Sequence, residues 1–335
     1  MCRCERTRFV VRVLVVKLSS LGDLFHALPA VHNLKVKLGA EVDWAAQSEY
    51  TELVKCFTDV RRIVPYHRHA AVRRFPQLLK DLRAEEYDYV VDFQGLLKSA
   101  VISRLARGRK VIGPSFKREG AGLFYDAVAG ERRKDRHAVE ENLDVVRFLG
   151  LDPIPVEFPV SFPKVRLDGT RRRVGFLPSS RWATKNWPTR CFVDLGRLLL
   201  KTGRVSLYII GGPADAEICA RIEEGLEGGA TNLCGKHSLP QTGGALKELD
   251  LLIANDSGPI HMAAAVGIPV LGIFGPTDPL RTGPYGKMHR IVRASLPCQP
   301  CFSRTCRRGD VPCLAGVTPE RVSEEALGML ADRPV

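Results

Sequence analysis

The sequence predicts an α/β protein made of two consecutive doubly wound halves, each a parallel sheet covered by helices. Short apolar runs alternate with amphipathic stretches of helical period along the whole chain of 335 residues. A proline-rich segment, LDPIPVEFPVSFPKVRLDGT at 151–170, has no helical period and splits the pattern in two. The length also suits two cores of about 150 residues each better than one.

The first half opens with an apolar strand at Val10–Leu18 and an amphipathic helix at Leu24–Leu38. A strand at Glu41–Ala46, a helical Tyr50–Phe57 and a short strand at Arg62–Pro65 follow. Phe75–Ala84 reads as helix, Tyr87–Phe93 as strand, Leu96–Ala106 as helix and Lys110–Ile112 as strand. One long helix, His137–Leu149, closes the half. After the linker come strand Arg173–Leu177, helix Thr189–Leu200, strand Val205–Ile210 and helix Ala214–Glu224. Helix Leu239–Lys247, strand Leu251–Ala254, helix Pro259–Val266, strand Val270–Phe274 and a terminal helix Thr318–Leu330 complete the pattern. Strands that read as continuous apolar runs separated by helices indicate parallel pairing, buried on both faces.

The composition, 45% hydrophobic and 26% charged, is that of a globular protein. The first apolar run, Phe9–Leu18, is too short to span a bilayer, is broken by Arg12 and Lys17, and lacks the shape of a signal peptide. A cytoplasmic protein is expected. The formal charge of +13 is shared by both halves, and local clusters stand out in the first, at Arg61-Arg62, His67 to His69, Arg73-Arg74, Arg107 to Lys110, Lys117-Arg118 and Arg132 to Arg136. Such clusters suit an anionic partner, and no nucleic-acid-binding module accompanies them. Six of the ten cysteines (Cys2, Cys4, Cys56, Cys191, Cys219 and Cys234) are scattered. Cys298, Cys301, Cys306 and Cys313 are grouped, with a C-x2-C pair of metal-like spacing. With zinc or as plain thiols, they read as a structural tie for their loop.

Three stretches carry chemistry. In LVVKLSSLGDLFHALPAV, residues 14–31, a strand turns tightly into a helix, where α/β proteins place ligands. The turn has neither G-x-G-x-x-G nor a P-loop, but a lone aspartate, Asp23, which reads as a general base or a helix cap. In the second half, Asn255-Asp256-Ser257-Gly258-Pro259 ends a buried strand and opens a helix, with His261 in its first turn. Gly275-Pro276-Thr277-Asp278-Pro279 ends the next strand. The third stretch, Pro178 to Pro188, gathers Ser179, Ser180, Arg181, Thr184 and Lys185 after a strand end. Its hydroxyls and cations suit a diphosphate. No D-x-D occurs in the chain, so a diphosphate site that relies on cationic side chains rather than a divalent metal fits the sequence.

Taken together, Lys17-x-Ser-Ser-x-Gly-Asp23, Arg181-Trp-x-Thr-Lys185-x-Trp-Pro, Asp256-Ser-Gly-x-x-His261 and GPTDP…GPYG resemble glycosyltransferase family 9, the lipopolysaccharide heptosyltransferases. Asp92-Phe-Gln94-Gly-Leu-Leu-Lys98 and Arg136-His137-Ala-Val-Glu are similar to the type I branch; the four-cysteine tail resembles type II. One more residue separates Ser180 from Lys185 than in the type I pattern.

The resemblance implies a GT-B fold, two Rossmann-like domains facing a central cleft. Residues 1–160 would bind the acceptor and 171–317 the nucleotide sugar, with a C-terminal helix and tail at 318–335. It implies an inverting, metal-independent transfer of heptose from ADP-heptose to Kdo-lipid A or heptosyl-Kdo-lipid A. Asp23 would be the base and Lys185 would stabilise the leaving diphosphate. Ser179, Ser180, Glu217, Asp256, Ser257, Gly258 and His261 would hold the donor. Ser20, Gly22, Arg61, Arg62, Arg73, Arg74, Gln94, Lys98 and His137 would meet the acceptor, an anionic glycolipid at the cytoplasmic face of the inner membrane. A monomer with no metal, no other cofactor and no nucleic-acid partner is expected. The alternatives are a family member using another sugar nucleotide, a GT-B-like sugar-nucleotide epimerase, and a non-catalytic binder of anionic lipid.

Overall fold

The computed structural model describes residues 10–332, so Cys2, Cys4 and Phe9 lie outside the described residues. The chain divides into two compact units. The first runs to Lys134 and takes in Ala138–Ser161; the second comprises Asp135–His137 and the chain from Phe162 onward.

The first unit contains β1 (Arg12–Val16), α1 (Leu21–Leu38), β2 (Glu41–Gln47), α2 (Thr51–Val54), β3 (Val60–Tyr66), α3 (Ala71–Leu82) and β4 (Glu86–Asp92). α4 (Leu97–Leu105), β5 (Arg107–Pro114), β6 (Ala127–Ala129), α5 (Ala138–Asn142) and α6 (Asp144–Phe148) follow. Its parallel sheet has the order β3-β2-β1-β4-β5-β6. The chain direction across the sheet reverses between β1 and β4, which makes the carboxyl ends of these two strands the natural ligand position. Val13 to Val16 of β1 are fully buried, as their unbroken apolar run requires.

α1 begins three residues earlier than the apolar period indicates. Ser20 is its N-cap, and Asp23 reaches back to accept the Ser20 N–H at 2.9 Å. Polar capping, invisible to a hydrophobic pattern, sets this start. At the other end Gly39 takes φ +61°, the left-handed conformation that ends helices at glycine. The long helix expected over His137–Leu149 is instead α5 and α6. Leu143 between them has ψ −12°, flatter than a regular helix, and His137 stays outside.

The second unit contains β7 (Arg172–Leu177), α7 (Thr189–Lys201), β8 (Val205–Ile209), α8 (Ala216–Gly225), β9 (Ala230–Asn232), α9 (Leu239–Lys247) and β10 (Leu251–Asn255). α10 (Pro259–Ala265), β11 (Val270–Ile273), α11 (Pro279–Thr282), β12 (Arg290–Val292), α12 (Pro312–Ala315) and α13 (Pro319–Ala331) complete it. The parallel order is β12-β11-β10-β7-β8-β9, reversing between β7 and β10. Trp187 meets Phe192 edge to face in its core, Phe176 packs on Phe192 at a tilt, and the Trp187 indole donates to the Val317 carbonyl at 2.9 Å. Val322, Ala326, Met329 and Leu330 of α13 join this core, so the terminal helix belongs to the second unit's packing. Residues 151–171 carry no helix or regular strand.

One ion cluster holds the amino-terminal end of the first sheet. Asp43, fully buried, accepts from Arg61 Nε and Nη2 at 3.0 Å, Arg62 Nε at 2.9 Å and the Tyr87 hydroxyl at 2.8 Å. Burial, then the Asp43 charge, pushes the Tyr87 hydroxyl well above its ordinary pKa, so it stays a donor. Removing one partner of such a cluster strands the others. Asp43→Ala is expected to lower the unfolding free energy by about 3–5 kcal/mol in chemical denaturation; a loss under about 1 kcal/mol would contradict the cluster's role.

Candidate active site

In the first unit the site grows from the carboxyl ends of β1 and β4. Beyond β1 the chain stays pinned to the sheet: Lys17 N–H donates to Ala45 O at 3.2 Å, and the Trp44 indole donates to Lys17 O at 3.0 Å. The Lys17 side chain is buried and its Nζ donates to Phe93 O at 2.7 Å. Desolvation lowers its pKa, while the facing charges of Asp23 and Asp92 pull the other way.

Asp23 sits in the first turn of α1 with 44% of its side chain exposed. Its Oδ2 accepts from the Ser20 N–H and hydroxyl at 2.9 and 2.8 Å; its Oδ1 lies 3.8 Å from His26 Nδ1. Removal from water pushes this carboxyl up, but Lys17, His26 and the Ser20 N–H outweigh it and hold Asp23 well below the usual carboxylate range. Asp92 is fully buried. It accepts from Gln94 N at 2.7 Å, Gly95 N at 3.1 Å and the Tyr125 hydroxyl at 2.8 Å. For Asp92 burial wins and its pKa rises. Gln94 closes the arrangement: its Oε1 accepts the Ser19 N–H at 3.1 Å. Ser20, Gly22, Asp23 and Gln94 are thus brought together, and Asp23 is both the cap of α1 and an accessible ionised carboxylate. Its two roles use different oxygens.

In the second unit the site grows from the carboxyl ends of β7 and β10. Lys185 Nζ lies 2.7 Å from Asp256 Oδ2, which also accepts from the Thr277 hydroxyl. The Ser180 hydroxyl donates to Asp256 O at 3.0 Å, and Asn255 Nδ2 donates to Pro178 O at 2.6 Å. These bonds lock together the three stretches singled out in the second half of the sequence. Ser257 Oγ is buried with no hydrogen-bond partner, an atom that a bound ligand would satisfy. Gly258 is the N-cap of α10, and His261 is buried in that helix. Trp182 carries two cations, Lys185 Nζ at 4.7 Å and the Arg304 guanidinium at 4.9 Å from its ring centroid. Thr184 donates to Ser303 O at 2.9 Å, so the cysteine-rich loop clasps the lysine loop.

Other expected site residues fall elsewhere. Arg61 and Arg62 are a correction: they lie at the amino-terminal end of β3, committed to Asp43, whose place on β2 is four residues, about 13 Å, before its carboxyl end. Their guanidiniums are engaged by Asp43 at the end of the sheet opposite to the turn that carries Asp23. Arg73 and Arg74 are exposed on α3, and Lys98 is exposed with its ammonium 5.2 Å from the Tyr66 ring centroid. His137, expected with the first half, belongs to the second unit: its Nε2 is 3.0 Å from Gly283 O and its ring packs on Tyr285. Glu217 is 86% exposed on α8 beside Arg221, with no bond to the Lys185–Asp256 group among the described contacts. Cys298 and Cys301 are exposed, Cys306 is half-buried and Cys313 is buried. Among the described residues no group of three or more His, Cys, Asp or Glu is gathered to hold a metal ion.

Lys17, Asp92 and Thr277 stand inside the quoted motifs without an assigned role and Arg304 lies outside them, yet all four contact the groups described above. Lys17 was visible as a charge ending an apolar strand, a costly placement that is itself a signal. Arg304 left no signal, because its partner Trp182 is distant in sequence.

The model of glycosyltransferase family 9 (heptosyltransferase) matches residues 75–311. The chain belongs to glycosyltransferase family 9. It is 30% identical to lipopolysaccharide heptosyltransferase 1 of Pseudomonas aeruginosa, over 96% of this chain and 98% of that one. Identity to lipopolysaccharide heptosyltransferase 1 of Escherichia coli K12 is 29%, over 85% of this chain and 94% of that one. The structure of E. coli heptosyltransferase WaaC with ADP superposes with a TM-score of 0.80 at 26% identity, over 95% of this chain and all of that one. The protein is therefore a GT-B glycosyltransferase, and neither the epimerase nor the non-catalytic lipid binder is favoured.

If Lys17 keeps Asp23 ionised, the transferase should stay active down to pH values below the ordinary carboxylate range of about 4. The sign follows from the charge: a depressed pKa keeps Asp23 deprotonated, as a general base must be, at low pH. Lys17→Met removes the depressing charge, so the acid limb of kcat/KM should move up by about one pH unit or more. An acid limb unmoved in a folded Lys17→Met protein would contradict the coupling.

Proposed function

We propose that the enzyme transfers heptose from ADP-heptose to the lipopolysaccharide inner core, with Kdo-lipid A or heptosyl-Kdo-lipid A as acceptor. The observation that carries this reading is Asp23, an ionised and half-exposed carboxylate at the carboxyl end of β1. It stands in a chain 30% identical, almost end to end, to a lipopolysaccharide heptosyltransferase.

The first unit binds the acceptor and the second binds the donor. Asp23 Oδ2 is engaged by Ser20, so Oδ1 takes the proton of the acceptor hydroxyl. A carboxylate this acidic removes the proton only after the hydroxyl oxygen has begun to bond to the anomeric carbon and become acidic itself. That timing suits a displacement with a good leaving group. The bond to the ADP oxygen breaks as the new glycosidic bond forms, and one in-line attack inverts the centre. Lys185 leaves Asp256 for, or bridges it to, the diphosphate, and Ser179, Ser180 and Ser257 supply hydroxyls. The charge developing on the leaving phosphate meets fixed donors rather than a divalent metal. Gly258 and His261 complete the donor loop. The enzyme works as a monomer, peripheral to the cytoplasmic face of the inner membrane.

Incubating the purified protein with an inner-core acceptor and a panel of sugar nucleotides, with products read by mass, tests the assignment. Addition of one heptose from ADP-heptose alone supports it; preference for another donor overturns it. Asp23→Ala is expected to lower kcat by about 10²–10⁴-fold while leaving ADP affinity near wild type. A variant retaining more than about a tenth of wild-type kcat would remove Asp23 as the base. Lys185→Ala should raise the donor KM and lower kcat, and EDTA should leave wild-type turnover unchanged. Activity lost to EDTA and restored by magnesium would contradict the metal-free departure.

A further inference from the structure

α3 buries only its second half. Leu78 and Leu82 enter the core of the first unit, whereas Val72 and Phe75, one turn apart near its start, are 92% and 44% exposed. Leu97, the first residue of α4, is 42% exposed, and Leu123, in the short 3-10 turn Ala121–Phe124, is 89% exposed. A single exposed apolar side chain is ordinary, but four large ones on neighbouring segments are not.

The segments follow β3, β4 and β5, and local contacts tie them into one rim. The Lys98 ammonium lies over the Tyr66 ring and feels the charges of Arg68 and Glu119. The Leu97 N–H donates to the Glu119 carboxylate at 3.3 Å, and the Arg118 N–H donates to Gly95 O at 2.8 Å. Arg68, Arg73, Arg74, Lys98 and Arg118 are exposed on these segments, with Glu119 beside Leu97 and Glu49 beside His69. Apolar tips among cations form the chemistry of a surface that rests in an anionic lipid headgroup layer. The same edge of the sheet holds Asp23 and Gln94, so a headgroup there can reach the base while its acyl chains stay in the bilayer. Among the described residues no helix is long and apolar enough to cross a membrane, so such contact is made from the surface.

We propose that this rim docks the first unit on an anionic phospholipid surface, with Val72, Phe75, Leu97 and Leu123 entering the headgroup region and the surrounding cations pairing with lipid phosphates. The proposal rests on the reading that the acceptor is a membrane glycolipid, but its test needs no transfer reaction. Vesicles of phosphatidylglycerol and phosphatidylcholine, and others of phosphatidylcholine alone, are mixed with the full chain, and bound protein is measured by flotation. The expected result is binding to the anionic vesicles only, weakened at least tenfold by Val72→Ser, Phe75→Ser and Leu123→Ser together and weakened by added salt. The triple variant, with an unchanged melting temperature, should keep wild-type turnover on a deacylated, water-soluble acceptor and lose turnover on acceptor embedded in vesicles. No binding by the wild type, equal binding to both vesicles, or full binding by the triple variant would overturn the proposal. So would concentration-dependent self-association that the triple variant abolishes without any vesicle binding. Vesicle binding without heptose transfer would strike the proposed reaction and leave the docking surface standing.

Discussion

Lys17 carries an ammonium to a place that water scarcely reaches, and the first unit is arranged around the cost of that burial. An unpaired charge there would be worth several kcal/mol of destabilisation. The Phe93 carbonyl takes one of its protons, and the Asp23 and Asp92 carboxylates supply opposite charge. Each of these partners then fixes something else. Asp92 holds the N–H groups of Gln94 and Gly95, and Gln94 in turn holds Ser19. Asp23 caps α1 through Ser20 and keeps its charge. The strand end, the turn, the helix start and the ionised state of the candidate base are therefore one electrostatic unit.

The second unit handles its cation differently. Lys185 is only partly buried and is paired with a carboxylate, Asp256, which is itself held by Thr277. In the proposed reaction an incoming diphosphate would compete with Asp256 for this lysine, while Thr277 keeps hold of the buried carboxylate. Trp182 holds the lysine loop in place by packing beneath both Lys185 and Arg304. The deep charge is held by a backbone carbonyl, the shallower one by a carboxylate.

The sequence shows these features unevenly. Long apolar strands and helices of clear period were legible, as was the reversal of polarity at the ends of β1 and β10. β6, β9 and β12 were not, because three residues are too few for any period to register. The start of α1 was misplaced because capping hydrogen bonds have no hydrophobic signature. Arg61 and Arg62 show the limit of reading charge clusters. Side by side they read as a cationic cluster, but Asp43, 18 and 19 residues away, pairs with both across the sheet, and Glu41 and Glu85 add further negative charge beside Arg61. Arg73 and Arg74, in a similar local context, remain exposed because α3 carries them past the edge of the core. The difference lies in pairing across strands, which one-dimensional pattern does not contain.

The proposed reaction is a single displacement driven by one carboxylate, without a covalent sugar intermediate. The most direct measurement is the anomeric configuration of the transferred sugar, read by NMR in the first-formed product and compared with that of the donor. The account predicts inversion. Retention would contradict it, because one in-line attack assisted by Asp23 cannot preserve the configuration.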